Sequence, residues 1–134
     1  MEASEVEAGQ EGRMSDQALK DNGGKVRLSL LPPAALVEVC RVREFGARKY
    51  EAWDWCKGRP WTEYLDAAMR HQMAWMAGED NDPESGRSHI AHAVCSLLFI
   101  LEFMQTGRGQ DDRPEKGTLA APAVSERITA DRQS

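Results

Sequence analysis

Cysteine is scarce in this chain of 134 residues, and the three present, Cys40, Cys56 and Cys95, show no CxxC spacing. An odd number without a framework argues against a disulfide scaffold and for reduced thiols in a cytoplasmic compartment. Basic charge is also short: 17 Lys and Arg face 22 Asp and Glu, a formal charge of −5. With no basic stripe interleaved with aromatics, general nucleic-acid binding is not expected. The longest apolar run, Ala93–Phe103, is broken by Ser96 and Glu102 and falls short of the roughly 20 residues of a bilayer span. No apolar N-terminal stretch flanked by positive charge suggests a signal peptide. A nucleophile elbow, a phosphate-binding glycine loop and a Ser-His-Asp arrangement are all missing. The expectation is a soluble, cytoplasmic protein with no membrane partner.

What is present reads as helix. Residues 1–24 are polar and acidic without apolar periodicity, and residues 107–134 are rich in Gly, Pro, Ser, Asp and Arg. Both are expected to be tails, leaving residues 25–106 as one small all-α helical bundle. Pro32-Pro33 suits a helix start, and the first helix is expected from Ala34 to about Tyr50, interrupted by Gly46. The second runs from Trp61 to Ala77, with Leu65, Ala68, Met69, Met73 and Met76 as its apolar stripe and Gly78 as its cap. The third starts at Ser88, a good N-cap, and reaches Gln105. Its second half is apolar almost all round, which predicts burial on every side and hence an oligomer interface. Lys25–Leu31 alternates briefly and suits an extended arm.

The stretch Arg70–Glu102 gathers most of the coordinating chemistry. All three histidines, His71, His89 and His92, flank the acidic loop Asp80–Arg87. His71, Trp75 and Glu79, at i, i+4 and i+8, share a helix face, as do His89 and His92 at i and i+3. Antiparallel packing of the two helices would bring these groups into one polar pocket. The loop begins like an EF-hand, but its sixth position is Ser85 rather than Gly and its twelfth is Ala91 rather than Glu. An HD-type phosphohydrolase needs an adjacent His-Asp pair, and none occurs. Abundant carboxylates, with the cysteines in apolar stripes, favour magnesium or manganese over zinc. The plain alternative is a solvated acidic turn.

A second cluster, Arg41–Trp55, carries Arg48 and Lys49, which suit phosphate oxygens, and Tyr50, Trp53 and Trp55, which suit a stacked base. Taken alone, it reads more readily as a helix end whose basic residues match the macrodipole and whose aromatics pack.

Taken together, LLPP, GARKY followed by AWDW, RH…GEDNDPESG and HIAHA resemble the phage and bacterial dATP/dGTP diphosphohydrolase domain, the MazZ-like branch of the all-α MazG-like nucleotide pyrophosphohydrolases. The resemblance covers about Lys25 to Phe103. It implies an oligomeric helical bundle, dimer or tetramer, that hydrolyses a purine deoxynucleoside triphosphate between the α and β phosphates with Mg2+ (or Mn2+). Where the ExxE and ExxD pairs usual in MazG-like helices are expected, the chain reads Arg70-His71 through Glu79 and then His89-Ile90-Ala91-His92, and Glu79-Asp80-Asn81-Asp82 matches ExxD in letters but lies at the loop. By that resemblance Glu79 and Asp82 are expected as metal ligands, with His71, His89, His92 and Glu38 as further candidates. Glu79, Asp82, His71 and His92 form the expected catalytic set, one histidine acting as general base. Arg48, Lys49 and Arg70 are the phosphate candidates, and Tyr50, Trp53 and Trp55 the base candidates. If phage-encoded, the chain would act in the host cytoplasm. The rival reading is a catalytically silent helical oligomerisation or nucleotide-sensing module.

Overall fold

The computed structural model describes residues 23–119; the first 22 residues of the expected N-terminal tail and the last 15 of the C-terminal one lie outside them. Among the described residues there are three α-helices and no strand: α1 (Pro33–Lys49), α2 (Trp61–Met76) and α3 (His89–Thr106). The segment expected as an extended arm instead forms one 3-10 turn, Leu28–Leu30. Leu31 then returns to extended backbone, the conformation a residue before proline favours.

α1 begins on Pro33 and ends on Arg48 and Lys49, so its fixed first φ and its C-terminal cations both suit the helix. Gly46 does not interrupt it. A Cβ at Gly46 would stand 3.0 Å from a guanidinium nitrogen of Arg43, so the glycine makes room for that side chain. A second 3-10 turn, Asp54–Lys57, leads into α2.

No side chain of its own neighbourhood caps α2. The cap comes from far along the chain. Asp112 Oδ1 accepts the Thr62 N–H at 3.0 Å and its other oxygen accepts the Thr62 hydroxyl. The Gln110 carbonyl accepts the Trp61 N–H at 2.9 Å, and the Arg108 carbonyl accepts the Trp61 indole N–H at 2.9 Å. Sequence composition suggested a tail from Gly107, but residues 108–112 supply the partners that α2's free N–H groups need. The crossing is tight: a Cβ on Gly58 would stand 2.6 Å from Gly109 N, and one on Gly109 would stand 2.6 Å from the Arg59 carbonyl.

α2 and α3 run antiparallel. Near the linking loop His71 meets His89 and His92, and at the far end Tyr64 packs edge-on against Phe99 and Phe103. Phe103 is fully buried, so Phe103→Ala would cost about 3–5 kcal/mol. α1 lies against the first half of α3, where Val39, Val42, Ala91 and Cys95 form a buried cluster backed by Phe99. α3 opens on the Ser88 hydroxyl, which accepts the Ala91 N–H at 3.2 Å, and closes on Gly107 in the left-handed region. By length and composition α3 as a whole would suffice to cross a bilayer. Leu97, Leu98 and Leu101 on it are between 42% and 52% exposed, so the three helices alone do not cover it.

Candidate active site

The loop between α2 and α3 is built to hold a side chain inward. Asn81 and Ser88 form a bridge, Asp82 N–H donates to the Arg87 carbonyl at 2.8 Å, and Gly86 N–H donates to the Asp82 carbonyl at 2.7 Å. Asp82 Oδ1 accepts the Glu84 N–H at 3.0 Å, an Asx turn that fixes its carboxylate. Its Oδ2 then lies 3.6 Å from His92 Nε2. Ser85 Oγ is 2.7 Å from the same nitrogen and accepts the Arg87 N–H at 3.1 Å.

His71 on α2 lies flat on the His92 ring of α3, centroids 4.5 Å apart. His71, Asp82 and His92 each present a ligand atom within 4.8 Å of the others. Burial is the largest influence lowering both imidazoles below the ordinary histidine range; for His71 the neighbouring His92 adds to it, and Asp82 opposes it for both. Both rings are therefore neutral at pH 7 and carry lone pairs, as a metal site or a proton acceptor requires. His89 and Glu79 form a layer behind. His89, only 5% exposed, places Nδ1 at 2.8 Å from His71 Nδ1 and Nε2 at 2.6 Å from Glu79 Oε1.

The cluster stands on the wall of an open cavity of about 670 Å³ between α1, α2, α3 and the loops that link them. Four cations, Arg43, Lys49, Arg59 and Arg70, line it beside six carboxylates, Glu51, Asp54, Glu63, Asp66, Asp82 and Glu84. Arg43 is held by the Ala52 carbonyl, which accepts its guanidinium at 2.9 Å, and by the Phe99 face 5.0 Å away. Lys49 pairs with Glu84 across the mouth. Trp55 stacks on Phe99 at 5.7 Å, with Tyr64 edge-on to the same ring, giving the cavity an aromatic wall. Burial raises the Tyr64 hydroxyl above its ordinary value and keeps it a donor.

Of the residues expected from sequence, the structure brings His71, Asp82, His92, Lys49, Tyr50, Trp55 and Arg70 to this cavity. Arg48 and Trp53 are exposed and do not line it. Glu38 faces Arg87 at 3.7 Å instead. Sequence reasoning missed Arg43, Arg59, Tyr64 and the carboxylates Glu51, Asp54, Glu63, Asp66 and Glu84, which also line it. A signal for part of these was there. Glu63, Asp66, Arg70 and His71 fall at i, i+3, i+7 and i+8, one polar helix face.

Fold and site define a small all-α protein whose histidine–carboxylate cluster adjoins a cavity lined by both cations and carboxylates. Residues 15–113 match the model of the family dATP/dGTP diphosphohydrolase, N-terminal, and the chain belongs to that family. A dATP/dGTP diphosphohydrolase of Salmonella phage PMBT28 is 36% identical over 108 residues, which is 81% of this chain and 36% of that protein. The chain thus spans about a third of the length of the curated relative it matches. No solved structure matches.

Proposed function

We propose that the chain is a metal-dependent pyrophosphohydrolase of purine deoxynucleoside triphosphates, converting dGTP or dATP to the monophosphate and pyrophosphate. The observation that carries the reading is the His71–Asp82–His92 cluster on the wall of a cavity that also presents Arg43, Lys49, Arg59 and Arg70, in a chain of this family. A divalent ion fits that donor set, which would hold it through two imidazoles and a carboxylate. Imidazole donors suit Mn2+ better than Mg2+, which prefers oxygen. Bound there, the ion would supply charge to the phosphate oxygens and make a water more acidic.

The chain's own groups do the rest of the work by position and charge. Lys49 and Arg70, with Arg43 and Arg59, face the triphosphate and neutralise its oxygens. The Trp55–Phe99–Tyr64 wall takes the base by stacking. The oxygen of the attacking water joins the α-phosphorus, the bond to the bridging oxygen breaks, and pyrophosphate leaves with the electron pair. A histidine nitrogen that holds the ion is not free to accept the water's proton, so a general base must be an imidazole nitrogen or carboxylate outside that set.

The test is incubation of the full chain with each common NTP and dNTP, with Mn2+ or Mg2+, and separation of the products. Monophosphate and pyrophosphate from dGTP or dATP are expected. Nucleotide binding without turnover would favour the nucleotide-sensing module, and release of single phosphate would replace this reaction with another.

A further inference from the structure

We propose that Glu79 and His89 are positioning residues, fixing the His71 tautomer that leaves its Nε2 lone pair free for the site shared with Asp82 and His92. The inference rests on the divalent-ion reading above and extends it to residues outside the cluster.

A chain of short contacts fixes where each proton sits. Glu79 Oε1 lies 2.6 Å from His89 Nε2. An ionised carboxylate only accepts, so His89 Nε2 carries the hydrogen. In the neutral imidazole, His89 Nδ1 is then an acceptor. It faces His71 Nδ1 at 2.8 Å, and two nitrogens at that distance share one proton, which must sit on His71 Nδ1. His71 Nε2 is left without a hydrogen. Because His89 is only 5% exposed, water does not compete for either of its nitrogens, and the relay stays directional. His71 is also held in orientation, since its ring stacks on His92 with 12° between the planes. A carboxylate that orients a histidine through its second nitrogen is the usual support of a metal-binding imidazole. Here a second histidine is inserted between the two. Glu79 itself, with half its side chain in solvent, stands behind the cluster and acts through His89.

Two measurements on the full chain test this. Long-range nitrogen–proton NMR of the metal-free protein reads the tautomers directly. The expected result is His71 protonated on Nδ1 and bare on Nε2, with His89 protonated on Nε2; a proton on His71 Nε2 would overturn the relay. The second measurement is Mn2+ affinity, by calorimetry or by the spectrum of free Mn2+. Glu79→Ala is expected to weaken binding by about 10–100-fold, the range seen when outer partners of a ligand are lost, while Asp82→Asn removes it. Unchanged affinity in Glu79→Ala would overturn the proposal and leave the divalent-ion reading intact. Loss as complete as in Asp82→Asn would make Glu79 a ligand in its own right, which also overturns it. If the unaltered protein binds no Mn2+, the ion reading fails on its own, and the tautomer of His71 still decides the relay.

Discussion

His71 on α2 and His92 on α3 lie in parallel stack, ring centroids 4.5 Å apart and planes 12° from parallel. Protonating both imidazoles of such a stack would set like charges face to face, so at least one of them stays neutral. Burial holds both below the ordinary histidine range, so the stacked pair and its lone pairs belong to the same state.

The first prediction concerns that pair's partner. Asp82→Asn and His92→Gln are each expected to lower turnover of dGTP and dATP at least about 100-fold, the scale of losing a few kcal/mol of charge stabilisation. Circular dichroism should stay helical. Activity within twofold of the unaltered chain, measured as pyrophosphate release, would move the chemistry away from this cluster.

Arg70 and Arg48 offer a paired comparison on phosphate binding. Arg70 lines the cavity and Arg48 does not. Arg70→Ala should cut kcat/KM for dGTP by roughly tenfold or more, as expected for a charge-assisted contact, whereas Arg48→Ala should change it little. Equal effects from the two would mean that the triphosphate lies outside the cavity.

The helices and the acidic loop were legible in the sequence because their signals are local: Pro33 at a start, Ser88 at a cap, Gly107 at an end. The approach of His71, Asp82 and His92 was also legible, since all three sit within one helix–loop–helix. What was not legible depends on distant pairings. Nothing local to Asp112 says that it will cap α2 from 50 residues away, and nothing local to Arg43 says that it will cross Gly46 to reach Phe99. Glu79 and His89 were expected beside the ion because carboxylate and imidazole are ligand types. Their mutual contact at 2.6 Å is a tertiary fact.

The closure of residues 108–112 on α2 is testable through three glycines that share one backbone angle. Gly58, Gly107 and Gly109 all have φ of 73°, so alanine strains each by about 1–2 kcal/mol. Only at Gly58 and Gly109 would the new Cβ also meet backbone, at 2.6 Å, while Gly107 has open space. Gly58→Ala and Gly109→Ala should therefore lower the unfolding free energy clearly more than Gly107→Ala. Equal losses in urea titration would mean that the segment does not close there.

Cys95 should be silent. Burial raises its thiol from an ordinary value of 9.0 to about 11, so at pH 8 a thiol reagent should label exposed Cys40 and leave Cys95 untouched until the chain unfolds. The same shift fixes a sign. A group whose folded value is raised stabilises the protein below its unfolded value, and that contribution, of order 2–3 kcal/mol, is lost as pH climbs from about 9 towards 11. Rapid labelling of Cys95 in the folded protein would place it outside the core.

The final prediction is self-association. Ile90, Val94, Leu97, Leu101 and Met104 follow one another by four, three, four and three residues, and each is between 38% and 53% exposed. That spacing is the seam of a helix that packs on another helix, and Leu65 on α2, also exposed, lies beside Leu97 and Met104 and widens it. We infer that a second copy covers this face, giving a dimer or tetramer. A solvent-exposed apolar seam of that length would otherwise be unusual for a monomer. Light scattering of the full chain at micromolar concentration is expected to give twice or four times the 14.9 kDa chain mass, and Leu101→Glu should give the single-chain mass or aggregate. A monomer in the unaltered protein would leave the face to another occupant, and partition of that monomer onto lipid vesicles would identify it as a membrane surface.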